Sequence, residues 1–188
     1  MPEVATLISA GDIFLTRGTS LISKLIRVFQ RSKDEEPTQV NHTGIIVTSG
    51  KLEDVDCVES LGKGTVRHKL INEYGNTKDK IAIFRMENLA NPRKRFVVEK
   101  AISYVGRKYG YIKIMAHFGD WCLGGKYVFR KLARMDKYPI CSWVVAHSFK
   151  TADINFGIDP DICQPDDIWD YVTNVANGWK TVLELNNI

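Results

Sequence analysis

Tyr138-Pro139-Ile140-Cys141-Ser142-Trp143-Val144-Val145-Ala146-His147 is the stretch on which the reading of the fold turns. Pro139 fixes its own φ and disfavours helix in the residue before it, so the chain enters extended. Trp143, Val144, Val145, Ala146 and Phe149 then supply apolar surface around most of a helix, which marks that helix as buried. Cys141 falls on its first turn. There, unpaired backbone N–H groups and the positive end of the macrodipole favour a thiolate, and the same N–H groups suit a developing oxyanion. A buried structural cysteine is the competing interpretation, since thiols in apolar helices are usually inert. Residues elsewhere in the chain decide between the two.

The length of 188 residues, with 44% hydrophobic and 26% charged side chains, fits one globular domain over residues 1–188. No run approaches a membrane span, and residues 1–10 lack the basic start and long apolar core of a secretory signal. Cys57, Cys122, Cys141 and Cys163 are widely spaced, with no pair at CxxC spacing. That pattern reads as free thiols in a reducing compartment, hence a cytoplasmic protein. The net charge of +4 is unevenly laid out: residues 93–137 carry 12 basic and 3 acidic side chains. The block reads as exposed faces of charged helices, with an anionic membrane surface as the partner it would otherwise suit. Aromatic residues do not interleave with the basic ones as a single-strand groove requires, so no nucleic-acid partner is expected.

Strand signals dominate the first half. Residues 11–16, 44–48, 55–60, 65–70 and 80–86 read as strands, with turns at Ser49-Gly50-Lys51-Leu52 and Gly62-Lys63-Gly64. A helix is expected over residues 21–29, capped by Thr19 or Ser20, followed by a polar loop at 33–39 that could serve as a lid. The second half is mostly helical. Asn91-Pro92 reads as a cap with proline at the first helical position, and Gly106 as the stop. Val97, Ala101, Tyr104 and Val105 line one face of that helix. A short capped helix at Asp166-Asp167-Ile168-Trp169 and a last strand at 180–185 complete an α+β pattern, antiparallel sheet packed against helices.

A cysteine nucleophile needs a base, and the base an orienting group. His147 lies six positions beyond Cys141, which on a helix is the far side. His117 sits in an aromatic-rich segment and His68 between Arg67 and Lys69 on an expected exposed strand. His42, which opens Asn41-His42-Thr43-Gly44-Ile45-Ile46-Val47, is the best candidate. If Gly50-Lys51 is a two-residue hairpin turn, His42 lies directly opposite Glu59, with Cβ atoms roughly 5 Å apart on one face. A slip of one would separate them onto opposite faces, and a slip of two would leave them diagonal but within reach. Glu59 can then take the proton of one imidazole nitrogen and leave the other aimed at Cys141.

These residues carry a resemblance. Ala101-Ile-Ser-Tyr-Val-Gly106-Arg-Lys-Tyr109, followed later by Cys141-Ser142, resembles the A…G-x-x-Y…C-S half of NlpC-type papain-like amidases. His42-Thr-Gly44-Ile-Ile-Val47-Thr-Ser-Gly50, followed by Val58-Glu59-Ser60, is similar to their H-x-G-I-x-x-x-x-G strand and the next one. Here the histidine half comes first, as in the circularly permuted branch that includes YiiX/YaeF-like proteins and lecithin:retinol acyltransferase-like enzymes. Gly11-Asp12-Ile13-Phe14-Leu15 and Pro165-Asp166-Asp167-Ile168 resemble that branch's start and tail. The resemblance implies a permuted papain-like fold, with Cys141 as nucleophile, His42 as base and Glu59 as third polar residue. It also implies Tyr109 and Ser142 beside the substrate or the oxyanion. Gly110 departs from the branch, which often has an acidic residue there.

The function expected is a cysteine hydrolase, an amidase or peptidase working through an acyl-enzyme, on a peptide, amide or acyl-ester substrate. A lipid acyltransferase or lipid hydrolase with the same triad is the second reading, and a non-catalytic binding module the third. No cofactor is expected. Nor is a metal, because His117, Asp120 and Cys122 find no second pair at zinc spacing. Oligomeric state and acyl acceptor have no signature in the sequence.

Overall fold

The computed structural model describes residues 7–18, 38–109 and 139–185. The expected helix at 21–29, most of the 33–39 loop, Gly110, His117, Asp120 and Cys122 lie outside them.

Among the described residues, six strands form one antiparallel sheet in the order β4-β3-β2-β1-β5-β6. They are β1 (Ile13–Arg17), β2 (His42–Ile46), β3 (Asp56–Leu61), β4 (Gly64–Lys69), β5 (Lys80–Met86) and β6 (Trp179–Leu185). The inner strands are apolar on both sides, so strict alternation sorts each into two cores. Ile13, Leu15, Ile45, Val58, Ala82 and Phe84 face one way, into the larger core with the helices. Phe14, Ile46, Cys57, Ile81 and Ile83 face the other, under Ile8, Val55 and Leu70.

Among the described residues there are four α-helices: α1 (Leu70–Tyr74), α2 (Asn91–Ser103), α3 (Cys141–Lys150) and α4 (Pro165–Thr173). As its composition requires, α3 is buried almost all round and packs on β2, β3 and α2. Trp143, Val144, Val145 and Phe149 fill the space over the sheet. The antiparallel sheet under packed helices is the α+β architecture expected.

Three local expectations need correction. The connection from β2 to β3 is not a two-residue turn. Gly50 leaves the hairpin to bridge Ile8, and Lys51 instead accepts the N–H groups of Asp54 and Val55. The longer loop moves the register by two, so that Glu59 faces Gly44 rather than His42. The helix after Asn91-Pro92 begins one residue early, with Ala90 as its N-cap, because proline is equally at home at either of the first two positions, where no N–H is needed. Val105 is exposed rather than part of the buried face, since α2 ends at Ser103 and the chain turns at Gly106. Gly106 has φ +88°, a conformation glycine adopts without a Cβ penalty, and its N–H bonds the carbonyl of Thr65 on β4. A segment absent from the sequence reading is α1, a single turn too short to leave a periodic signal.

Candidate active site

Cys141 is the first residue of α3, after an extended Ile140, so its backbone N–H and that of Ser142 belong to the free donors of the first turn. Pro139 holds the entry: its carbonyl accepts the hydroxyl of Ser60 at 3.0 Å, and Ser60 is wholly buried in β3 beside Glu59. One hydrogen bond thus ties the mouth of the cysteine helix to the strand that carries the carboxylate.

His42 opens β2 and retains 15% side-chain exposure, whereas Glu59 has none. Although the register sets them two residues apart, the ring reaches diagonally and Nε2 donates to Glu59 Oε2 at 2.5 Å. The Cys141 sulfur is near enough to the same ring to act on its charge. As the first residue of its strand, His42 can meet Glu59 on its own face of the sheet and the sulfur from the helical layer. Burial works against a charge on this ring, but the negative charge and hydrogen bonds of Cys141 and Glu59 overcome it and push the pKa up to about 10.

Glu59 is held on all sides. His68 Nε2 donates to its Oε1 at 2.6 Å, and the Tyr74 hydroxyl to its Oε2 at 2.7 Å. Burial alone would raise this carboxyl; the hydrogen bonds from His42, His68 and Tyr74 prevail and bring it down to about 2. The hydrogen bond to Glu59 raises His68 above its usual value, while burial and the neighbouring carboxylate raise the Tyr74 phenol. Glu59 therefore stays ionised and keeps one orientation.

Neither His68 nor Tyr74 was anticipated. His68 is correctly flanked by exposed Arg67 and Lys69, yet a strand alternates, and the residue between two outward cations points inward. Tyr74 ends α1, and its ring also meets Phe14 edge-on at 5.5 Å between centroids.

Gly44 explains the third position of the His42-Thr-Gly44 motif. A Cβ there would stand 2.5 Å from the Phe14 ring and 2.9 Å from the carbonyl of Val58. The missing side chain lets Phe14 lie between His42 and Tyr74. Gly44→Ala is expected to destabilise the fold by about 1–3 kcal/mol, as overpacking does. It should also lower turnover by displacing His42 and Tyr74, two of the three donors to Glu59. Chemical denaturation measures the first effect, and steady-state kinetics on the folded fraction the second.

The other anticipated residues lie as follows. Tyr109 is half-buried against the larger core. Ser142 is fully buried and donates its hydroxyl to the carbonyl of Cys163 at 2.6 Å. Its side chain thereby anchors α3 to the loop before α4, while its backbone N–H stays among the free donors of the first turn. His147 is engaged elsewhere, with Nε2 on Asp161 Oδ1 at 3.0 Å and its ring stacked on Trp143. Cys57, Cys141 and Cys163 are free thiols, all buried. Burial, with Asp167 and Cys141 nearby, raises the Cys163 thiol well above its usual value.

A thiol on a helix N-terminus, an imidazole within reach and a buried carboxylate behind that imidazole can together support nucleophilic attack on a carbonyl. Comparison with known proteins agrees. No curated protein matches the sequence significantly. A crystal structure of the metalloprotein yiiX from Escherichia coli O157:H7 matches with a TM-score of 0.53 and 18% identity. The match covers 93% of this chain and 88% of that one, and at such identity it shows the fold. The family model of permuted papain-like amidase enzymes, YaeF/YiiX, C92 family, matches residues 8–166. Because that span includes the strands bearing His42 and Glu59 and the helix bearing Cys141, the chain belongs to the permuted papain-like amidases, cysteine hydrolases that act on amide-containing substrates.

Proposed function

We propose that the protein cleaves an amide through an acyl-enzyme formed on Cys141. The observation that carries this reading is the single His42 ring, bonded to Glu59 through Nε2 and within reach of the Cys141 sulfur. In the proposed cycle the thiolate attacks the carbonyl carbon and the carbon–nitrogen bond breaks. His42 gives its proton to the departing amine, then takes one from the water that releases the acid. The backbone N–H groups at the start of α3 hold the oxyanion. Glu59 fixes the ring and balances its charge, and Tyr109 borders the acyl site.

The test is covalent. An electrophilic thiol probe should label Cys141 stoichiometrically ahead of Cys57 and Cys163, and mass spectrometry should find a substrate-derived acyl group on residue 141. Labelling spread evenly over the thiols, or an acyl group elsewhere, would overturn the reading. Glu59→Gln keeps the shape but loses the charge. It is expected to lower kcat roughly 10²-fold with KM little changed, because the residue orients and does not react. Steady-state kinetics reads that split.

A lipid acyl group is the second reading, favoured by the 12 basic against 3 acidic residues in positions 93–137. Turnover indifferent to anionic liposomes would dismiss it.

A further inference from the structure

Around the carboxylate that orients His42, β3 and β4 bring together three side chains that the hydrolytic cycle does not use as a group. Cys57 and Glu59 lie two residues apart on one face of β3, and His68 faces Cys57 from β4. Cys57 Sγ is 3.7 Å from His68 Nε2, which is 2.6 Å from Glu59 Oε1. All three donor atoms fall within 4.8 Å of one another. We propose that Cys57, Glu59 and His68 form a zinc site whose occupation slows the hydrolase.

The donor set selects the ion. One sulfur, one imidazole nitrogen and one carboxylate oxygen suit zinc, whereas magnesium and calcium prefer oxygen alone. Zinc bonds of ~2.0–2.3 Å set donors of a tetrahedral site roughly 3.3–3.7 Å apart. The sulfur–nitrogen separation already has that value; the nitrogen–oxygen pair, now closed on a shared proton, has to open by about 0.7 Å. Access is one-sided. Cys57 and Glu59 are fully buried, while the His68 side chain keeps 19% exposure and is the member of the group that reaches solvent. Three protein ligands leave a fourth position for water. On binding, the Cys57 thiol proton leaves to solvent, and His68 coordinates through Nε2 with its proton on Nδ1.

The link to activity runs through one carboxylate. Oε1 of Glu59 would bind zinc while Oε2 still faces His42 and Tyr74. A dication on the same carboxylate draws its charge away from the imidazole and repels the imidazolium that the cycle needs. The inhibitory half of the proposal rests on Glu59 orienting His42; the binding half does not.

The experiment uses the full chain in four forms: wild type, Cys141→Ala, Cys57→Ala and His68→Asn. Zinc binding is read by competition with a chromophoric chelator, and the ligand type by cobalt(II) absorption. Cys141→Ala should bind one equivalent and show a thiolate-to-cobalt charge-transfer band. Cys57→Ala should lose the band, and both Cys57→Ala and His68→Asn should bind about tenfold or more weakly. Near-UV circular dichroism confirms that each variant is folded. Because His68 is part-exposed, its variant guards against a folding failure at Cys57. Zinc should inhibit the wild type over the range in which Cys141→Ala binds it. Binding that vanishes in Cys141→Ala and persists in Cys57→Ala would put the metal on the catalytic thiol and overturn the proposal, as would no binding at all. Turnover that survives in Cys141→Ala would instead defeat the hydrolase mechanism and leave the cobalt readout intact.

Discussion

Cys141→Ala is expected to abolish turnover, with a fall on the order of 10⁴-fold or more, while the fold persists. Removing a covalent nucleophile removes the intermediate itself, and only the binding and oxyanion contributions remain. Structural cost should be small. The residue heads its helix and is almost completely buried, but α3 is held by Trp143, Val144, Val145 and Phe149 and by the Ser60 and Ser142 hydrogen bonds at its mouth. The measurement pairs single-turnover kinetics with thermal unfolding. Activity within tenfold of wild type would mean that the sulfur is not the nucleophile.

His42→Ala is expected to cost 10²–10⁴-fold in kcat, the range of a positioned acid–base group. A second readout separates its two roles. With the ring gone, the cation that pairs with the Cys141 sulfur is gone too, so alkylation of Cys141 at neutral pH should slow along with turnover. Glu59 would then lose one of its three donors and keep His68 and Tyr74. Unfolding by urea should therefore show a loss of only about 1–3 kcal/mol, the range for a hydrogen bond to a charged group. Unchanged alkylation with lost turnover would mean that His42 acts on the leaving group alone.

Much of this was legible in the sequence, for reasons that differ from residue to residue. Cys141 announced itself through proline, cap position and an apolar helix, all local signals. His42 and Glu59 came from parity. A hairpin longer than expected shifted the register by two, and a shift of two keeps the face, so the pair survived an incorrect turn. A shift of one would have separated them. His68 was passed over because its neighbours Arg67 and Lys69 were read as its environment, although alternation points it the other way. Tyr74 could not be inferred: it depends on a one-turn helix and on where that turn meets Phe14. The hydroxyl partner of Ser142 was likewise beyond the reach of local signals, since it is a carbonyl 21 residues away. Val105 was misplaced because a helical face was extended past the point where the helix stops.

The Ser60–Pro139 hydrogen bond implies something about how this architecture can vary. Covalent order does not determine where the sulfur sits, because a clasp across the fold anchors the cysteine helix to the strand next to Glu59. Loss of that one hydroxyl would loosen the entry of the helix while leaving sulfur, imidazole and carboxylate chemically untouched.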